Sequence, residues 1–398
     1  MLSVEVPAKQ LNADIEVLRA YSVLAVLYEH TTSIVELPNI EQIRGYWNGW
    51  TGVDLFFVIS GFVIYRSLDS TVAYGMSARD AVRETVMFWI RRFWRLAPAG
   101  WFWLAAGIVL MVIDDPLEVG SKHENISDLI ASLLNFENFH RFACNAWQGP
   151  CGALYPHYWS LSLETQFYLI LPALIVVLPR KYLVGVLVGV IAIQLPMRRP
   201  ANGDVLGWFI RTDGLAWGIL IARLSATAFY RLVEPTFLSG SIARCACTFG
   251  GLFAIGTAQY FWRESFFLGL VAIIAALLVL AASFGKGYIA SPPGLRRALV
   301  WTGQRSYSLY VSHLIVFKGV RELCRALHIY DDSWPGKLAY LALAYSLTVA
   351  AAAMTHNWLE MPLRQRGREY ARAYRARMIR STLIAAKGHS TAQGRAHA

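Results

Sequence analysis

The stretch Arg19-Ala-Tyr-Ser-Val-Leu-Ala-Val-Leu-Tyr-Glu-His30 sets Arg19 and His30 at the two ends of an apolar run that contains neither proline nor glycine. Read as a helix, it separates the two by roughly 16 Å of rise, about half the thickness of a hydrocarbon core. Ionisable groups are costly in such a segment, so the pair marks a site inside a membrane. One end reaches the cytoplasmic boundary while the other works deep within.

The rest of the chain agrees. Of 398 residues, 56% are hydrophobic and only 16% charged, and the mean hydropathy is +0.40, outside the balance of a soluble domain. Apolar runs near 16–36, 50–66, 96–114, 160–179, 182–197, 204–222, 245–261, 265–284, 299–317 and 338–358 predict an all-α integral membrane protein of about ten spans in one bundle. Residues 1–15 lack the apolar core of a cleavable signal and are expected to form a cytoplasmic segment. With ten spans, Lys and Arg fall mainly on the side of residue 1, which predicts both termini in the cytoplasm. The membrane domain is then 16–362, with an external loop at about 115–158 and a basic tail at 363–398, partly disordered.

The net charge of +11 follows from this topology and asks for no nucleic-acid partner. The tail, with Arg364, Arg366, Arg368, Arg372, Arg375, Arg377 and Arg380, reads either as solvated or as held against anionic lipid. Cys144 and Cys151 share the external loop and suit a disulfide, although with His140 and His157 they also allow a zinc reading.

Because successive spans run in opposite directions, polar residues sort by depth into two clusters. Toward the outside lie His30, Asp54, Trp159, Ser162, Glu164, Arg211, Asp213 and His313; toward the cytoplasm lie Arg91, Arg92, Arg95 and Glu360. Arg92 and Arg95, three apart on a helix, can close on one phosphate, or can simply anchor the span; Pro98 follows as a helix start or kink. Asp54 either pairs with a cation or caps its helix. Ser162 is expected as a helix cap, Ser60 and Gly61 as packing residues, and Glu164 as a carboxylate needing Arg211 or a protonated His30. Tyr307 and His313 share a ninth span.

Taken in order, several motifs resemble the membrane-bound acyltransferases called acyltransferase family three. They are Arg19 and His30, Gly52-Val-Asp-Leu-Phe-Phe-Val-Ile-Ser-Gly-Phe62, Arg92 and Arg95 before Leu96-Ala-Pro98, and Trp159-Ser-Leu-Ser-Leu-Glu164 with Phe167-Tyr-Leu169. Arg211-Thr-Asp-Gly-Leu-Ala-Trp-Gly218, Ser306-Tyr-Ser-Leu-Tyr-Val-Ser-His313 and Glu360-Met-Pro362 complete the set, over about 14–366. The resemblance implies transfer of an acetyl group from acetyl-CoA to a hydroxyl of a cell-surface, exported or lipid-linked carbohydrate, in a bacterial inner membrane. It implies His30 as the essential histidine with Arg19 as its paired basic residue, and Arg92 with Arg95 as the two-arginine motif, flanked by Arg91.

On this reading His30 is the general base, Asp54 or Glu164 orients it, and Trp159, Ser162, Arg211, Asp213, Tyr307 and His313 face the acceptor. An acyl-histidine intermediate is the other route. No metal is required. The competing function is a polytopic transporter or flippase, for which intramembrane charges are equally expected.

Overall fold

The computed structural model describes residues 11–33, 35, 45–69, 71–113, 121–147, 149, 151–200, 203, 205–261, 265–329 and 333–396. Most of the expected cytoplasmic segment and the loop start at 114–120 lie outside them. The described residues form helices and no strand: α1 (Ala13–Glu29), α2 (Gly52–Leu68), α3 (Ala78–Ile113), α4 (Lys122–Leu133), α5 (Glu137–Ala146), α6 (Tyr158–Val177), α7 (Arg180–Gln194) and α8 (Leu206–Phe209). Then follow α9 (Asp213–Leu224), α10 (Ser241–Phe261), α11 (Phe267–Ser283), α12 (Arg296–Gln304), α13 (Ser306–Ala326), α14 (Trp334–Met354) and α15 (Met361–Ala396). A π-helical turn at Thr355–Glu360 joins the last two.

The all-helical expectation holds, while the count of about ten spans is not confirmed. Among the described residues, five helical stretches are long and apolar enough to cross a membrane: Gly49–Leu68, Ala78–Val112, Tyr158–Val177, Ser241–Phe261 and Trp334–Met378. The remaining apolar runs are helical but short or broken. Residues 204–222 divide into α8 and α9 around Arg211, and 299–317 divide at Arg305. The third span also differs, since α3 begins at Ala78, so Arg91, Arg92 and Arg95 sit in mid-helix and Pro98 lies inside it. In the tail, frequent Arg and Ala are strong helix formers, and α15 continues the chain as helix to Ala396.

Helix α1 starts where Asn12 caps it, its side chain accepting from the Asp14 and Ile15 amides. Asp14 is anchored in turn by the amides of Gly287 and Tyr288 and by Arg296 at 2.5 Å. Helix α2 packs closely against α9: a Cβ on Gly218 would stand 2.1 Å from the Val58 carbonyl, and one on Gly61 2.2 Å from that of Leu215. Only glycine permits this approach, which leaves the opposite face of α2, with Ser60, turned toward α6.

One proline leaves a carbonyl that the fold reuses. Pro172 in α6 has no amide for the Tyr168 carbonyl, and the Trp89 indole donates to it at 3.1 Å. On α3, three tyrosine hydroxyls donate to carbonyls one turn apart: Tyr307 to Leu96 at 2.5 Å, Tyr158 to Gly100 at 2.9 Å and Tyr155 to Leu104 at 3.0 Å. Helix α3 is thereby held to α6 and α13 beside its Pro98.

Candidate active site

Three arginines from two helices converge on one open cavity of about 690 Å³. Arg19 of α1 and Arg92 and Arg95 of α3 line it, opposite Ser60 of α2 and Glu164 and Tyr168 of α6. Arg92 rests its guanidinium on the rings of Phe88 and Tyr168, 5.5 and 5.3 Å from their centroids, which suits a delocalised cation in a desolvated place. Arg95 Nε is buried without a hydrogen-bond partner. Guanidinium groups held close together, one with an unused buried donor, suit a multiply charged anion. Arg91 does not join them; its electrostatic neighbours are Glu84 and Arg375 of α15, so it faces the tail.

Glu164 supplies the carboxylate of this cavity. Ser60 and Tyr168 both donate their hydroxyls to its Oε1, while Arg92 and Tyr307 are charged or polar neighbours. Ser60 is therefore more than a packing residue. Tyr168 stands one helical turn from Glu164, and that i, i+4 spacing was the available signal for it.

Asp54 and Arg211 have left the site. Arg211 Nη1 donates to Asp54 at 2.8 Å, Arg199 donates to Asp213 at 2.8 and 3.2 Å, and all four residues are buried. The Arg211 guanidinium is enclosed by Trp208, Trp159 and Trp50 at 3.9, 4.8 and 5.1 Å. This closed quartet fixes the break between α8 and α9. It leaves Glu164 without Arg211, and leaves Arg211, Asp213 and Trp159 committed to one another. Ser162 does not cap its own helix, which begins earlier at Tyr158; its hydroxyl accepts the Glu137 amide at 3.2 Å and ties α5 to α6.

His30 is held by a different partner from the two carboxylates proposed for it. Its Nδ1 lies 2.9 Å from the Val26 carbonyl and 3.2 Å from His313 Nε2, and His313 Nδ1 lies 2.7 Å from the Tyr310 carbonyl. A carbonyl only accepts, so both Nδ1 atoms carry the proton, His313 Nε2 accepts from His30, and His30 Nε2 bears the lone pair. His157 packs edge-on against His313 with ring centroids 5.0 Å apart. Between these rings and the arginine-lined cavity stand Tyr310 and Ser160, whose hydroxyls are 2.6 Å apart and which themselves line the cavity. His30 does not line that cavity; it touches His313, which in turn packs against Tyr310. Ser160 and Tyr310 were not singled out by the sequence, although Tyr310 stands one turn before His313, and His157 entered only through the zinc reading.

Outside the spans, Cys144 and Cys151 form a disulfide, with Cα atoms 5.7 Å apart, which removes the zinc reading. Asp128, Glu137 and His140 gather their ligand atoms within 4.8 Å, but Arg141 bonds both carboxylates and occupies the place of a cation. Burial pushes the Glu137 carboxyl up to about 8, against the pull of Arg141.

Sequence comparison assigns this architecture. The profile described as acyltransferase domain matches residues 12–356, and the chain belongs to that family, acyltransferase family three. With its apolar helices, membership makes it a multi-pass membrane protein. Among relatives, it is 24% identical over 375 residues to the peptidoglycan O-acetyltransferase of Listeria monocytogenes, covering 89% of this chain and 56% of that one. It is 25% identical over 376 residues to a provisionally named peptidoglycan O-acetyltransferase of Bacillus subtilis, covering 88% and 54%. It is 27% identical over 381 residues to a provisionally named O-acetyltransferase of Staphylococcus aureus, covering 88% and 57%. The chain spans a little over half the length of these curated relatives. No solved structure matches it significantly.

Proposed function

We propose that the chain moves an acetyl group from acetyl-CoA to a hydroxyl of a cell-envelope carbohydrate, in a bacterial inner membrane with both termini cytoplasmic. The relatives named above favour peptidoglycan or its precursors over an exported polysaccharide as the acceptor. The observation that carries the donor is the convergence of Arg19, Arg92 and Arg95 on one cavity with a buried unused guanidinium donor. Phosphates of CoA fit that demand, and the pantetheine arm then reaches toward Glu164, Ser160 and Tyr310.

In the step itself, an acceptor hydroxyl oxygen attacks the thioester carbonyl, the carbon–sulfur bond breaks, and a base carries the hydroxyl proton to the departing thiolate. His30 is that base, its lone pair placed on Nε2 by the Val26 carbonyl and His313 at Nδ1, and the side chains between it and the cavity, His313 and Tyr310 among them, must move to join it to the donor. A second reading is favoured by one observation: Glu164 lines the donor cavity directly, so it can take the proton without that movement. Family membership favours transfer over transport. The test is purified protein incubated with labelled acetyl-CoA and muropeptide or lipid-linked muropeptide. Label in an alkali-labile ester supports the reading, and no transfer from acetyl-CoA to any carbohydrate contradicts it.

A further inference from the structure

A second cavity, about 1000 Å³ including its open face, lies between α3 and α6 and shares Arg92, Glu164, Tyr168 and Tyr307 with the arginine-lined one. Its outer lip is formed by Trp89, Phe93, Trp101 and Leu169, all exposed on helical stretches long and apolar enough to cross a membrane. Such a face opens sideways into hydrocarbon. Two crosslinks hold its walls apart at fixed spacing, Trp89 to the Tyr168 carbonyl and Tyr158 to the Gly100 carbonyl. Eleven residues of α3 separate these ties, roughly 16 Å of helix. Ser132 and Asn135, at the end of the external-loop helix α4, close one end with polar groups.

The groove is thus apolar where it meets lipid, and at its inner wall it meets a carboxylate and a guanidinium. We propose that it seats the hydrocarbon anchor of a lipid-linked saccharide, with the sugar hydroxyl reaching Glu164 at the wall the two cavities share. This rests on the acyl-transfer reading above and names the route of its acceptor. A water-soluble CoA enters by the arginine-lined mouth, whereas a substrate fixed in the bilayer has only a lateral route. The shared wall brings the two together without either crossing the other's path.

The test uses the full chain in nanodiscs with a prenyl diphosphate disaccharide carrying a diazirine on its prenyl chain. After photolysis, peptides from 89–104 and 158–169 are expected to carry at least five-fold more label than the exposed apolar helix α10. Unlabelled lipid disaccharide should displace it and palmitoyl-CoA should not. Ala97→Trp, which fills the groove, should reduce the label at least five-fold with acetyl-CoA affinity within two-fold; Thr165→Trp, on the opposite wall, serves if the first variant does not fold. Equal labelling of α10 means annular lipid only and overturns the proposal. So does displacement by palmitoyl-CoA alone, which gives the groove to the donor's acyl chain. Failure of wild-type protein to bind acetyl-CoA contradicts the acyl-transfer reading instead, so the two failures are distinguishable.

Discussion

Replacing Arg95 by alanine gives opposite signs in the empty and the loaded protein. Without ligand, the Arg95 guanidinium has a buried Nε with no partner and lies close enough to Arg92 and Arg364 to oppose their charges. Its removal relieves repulsion in a desolvated place, partly offset by the lost attraction to Glu360. The apo unfolding temperature should therefore stay level or rise. With donor bound, the same guanidinium makes charge-assisted hydrogen bonds to phosphate, worth about 1.5–3 kcal/mol each. Losing one raises the Kd for acetyl-CoA by about 10- to 150-fold. Isothermal titration gives the affinity and differential scanning fluorimetry gives both temperatures. Arg95→Lys retains charge but loses the planar fork, and should fall between wild type and Arg95→Ala. An acetyl-CoA Kd within two-fold of wild type in Arg95→Ala, or an apo protein several degrees less stable, refutes the assignment of Arg95 to an anion site.

Three other outcomes follow from the same geometry. His30→Ala should lower kcat by about 10²- to 10⁴-fold with acetyl-CoA affinity retained, while Glu164→Gln loses activity to that extent only if Glu164 is the base; stopped-time transfer assays on both variants separate the readings. Arg211→Met leaves Asp54 buried and unpaired and should cost about 3–5 kcal/mol of stability, read by chemical denaturation; a loss under 1 kcal/mol would mean that the quartet is not structural. Glu137 has a carboxyl pushed up to about 8 in the folded protein, so the native state holds a proton that the unfolded chain releases near 4.5. Its stabilising contribution is full below about 4.5 and is lost as pH rises toward 8. Glu137→Gln should flatten that decline in thermal unfolding, and an unchanged pH profile would show that Glu137 does not titrate there.

What was legible in the sequence divides along physical lines. Hydropathy placed helices where apolar residues run together, because backbone groups in lipid must bond within their own segment. It could not tell a full span from a broken one, because Arg211 and Arg305 interrupt runs whose average hydropathy remains high. Arg19, Arg92, Arg95 and Glu164 were found because isolated charges stand out against apolar neighbours, and they do share one cavity. Partner choice was not readable. Asp54 and Glu164 look alike in sequence, and only the three-dimensional arrangement gives the former to Arg211 and the latter to Ser60 and Tyr168. The pairing of His313 with His30 was not readable because a single histidine carries no local signal of its contact with a residue 283 positions away. The disulfide lay within reach because two cysteines seven apart in one loop have few other uses.

The arginine-lined cavity is proposed to receive the acyl donor. A cryo-electron microscopy structure of the purified chain with CoA is the decisive experiment. Density for the CoA phosphates is expected between Arg19, Arg92 and Arg95, with the thiol end directed at Glu164 and Tyr310. CoA bound elsewhere, with that cavity unchanged and its guanidinium groups still without an anion, would contradict it.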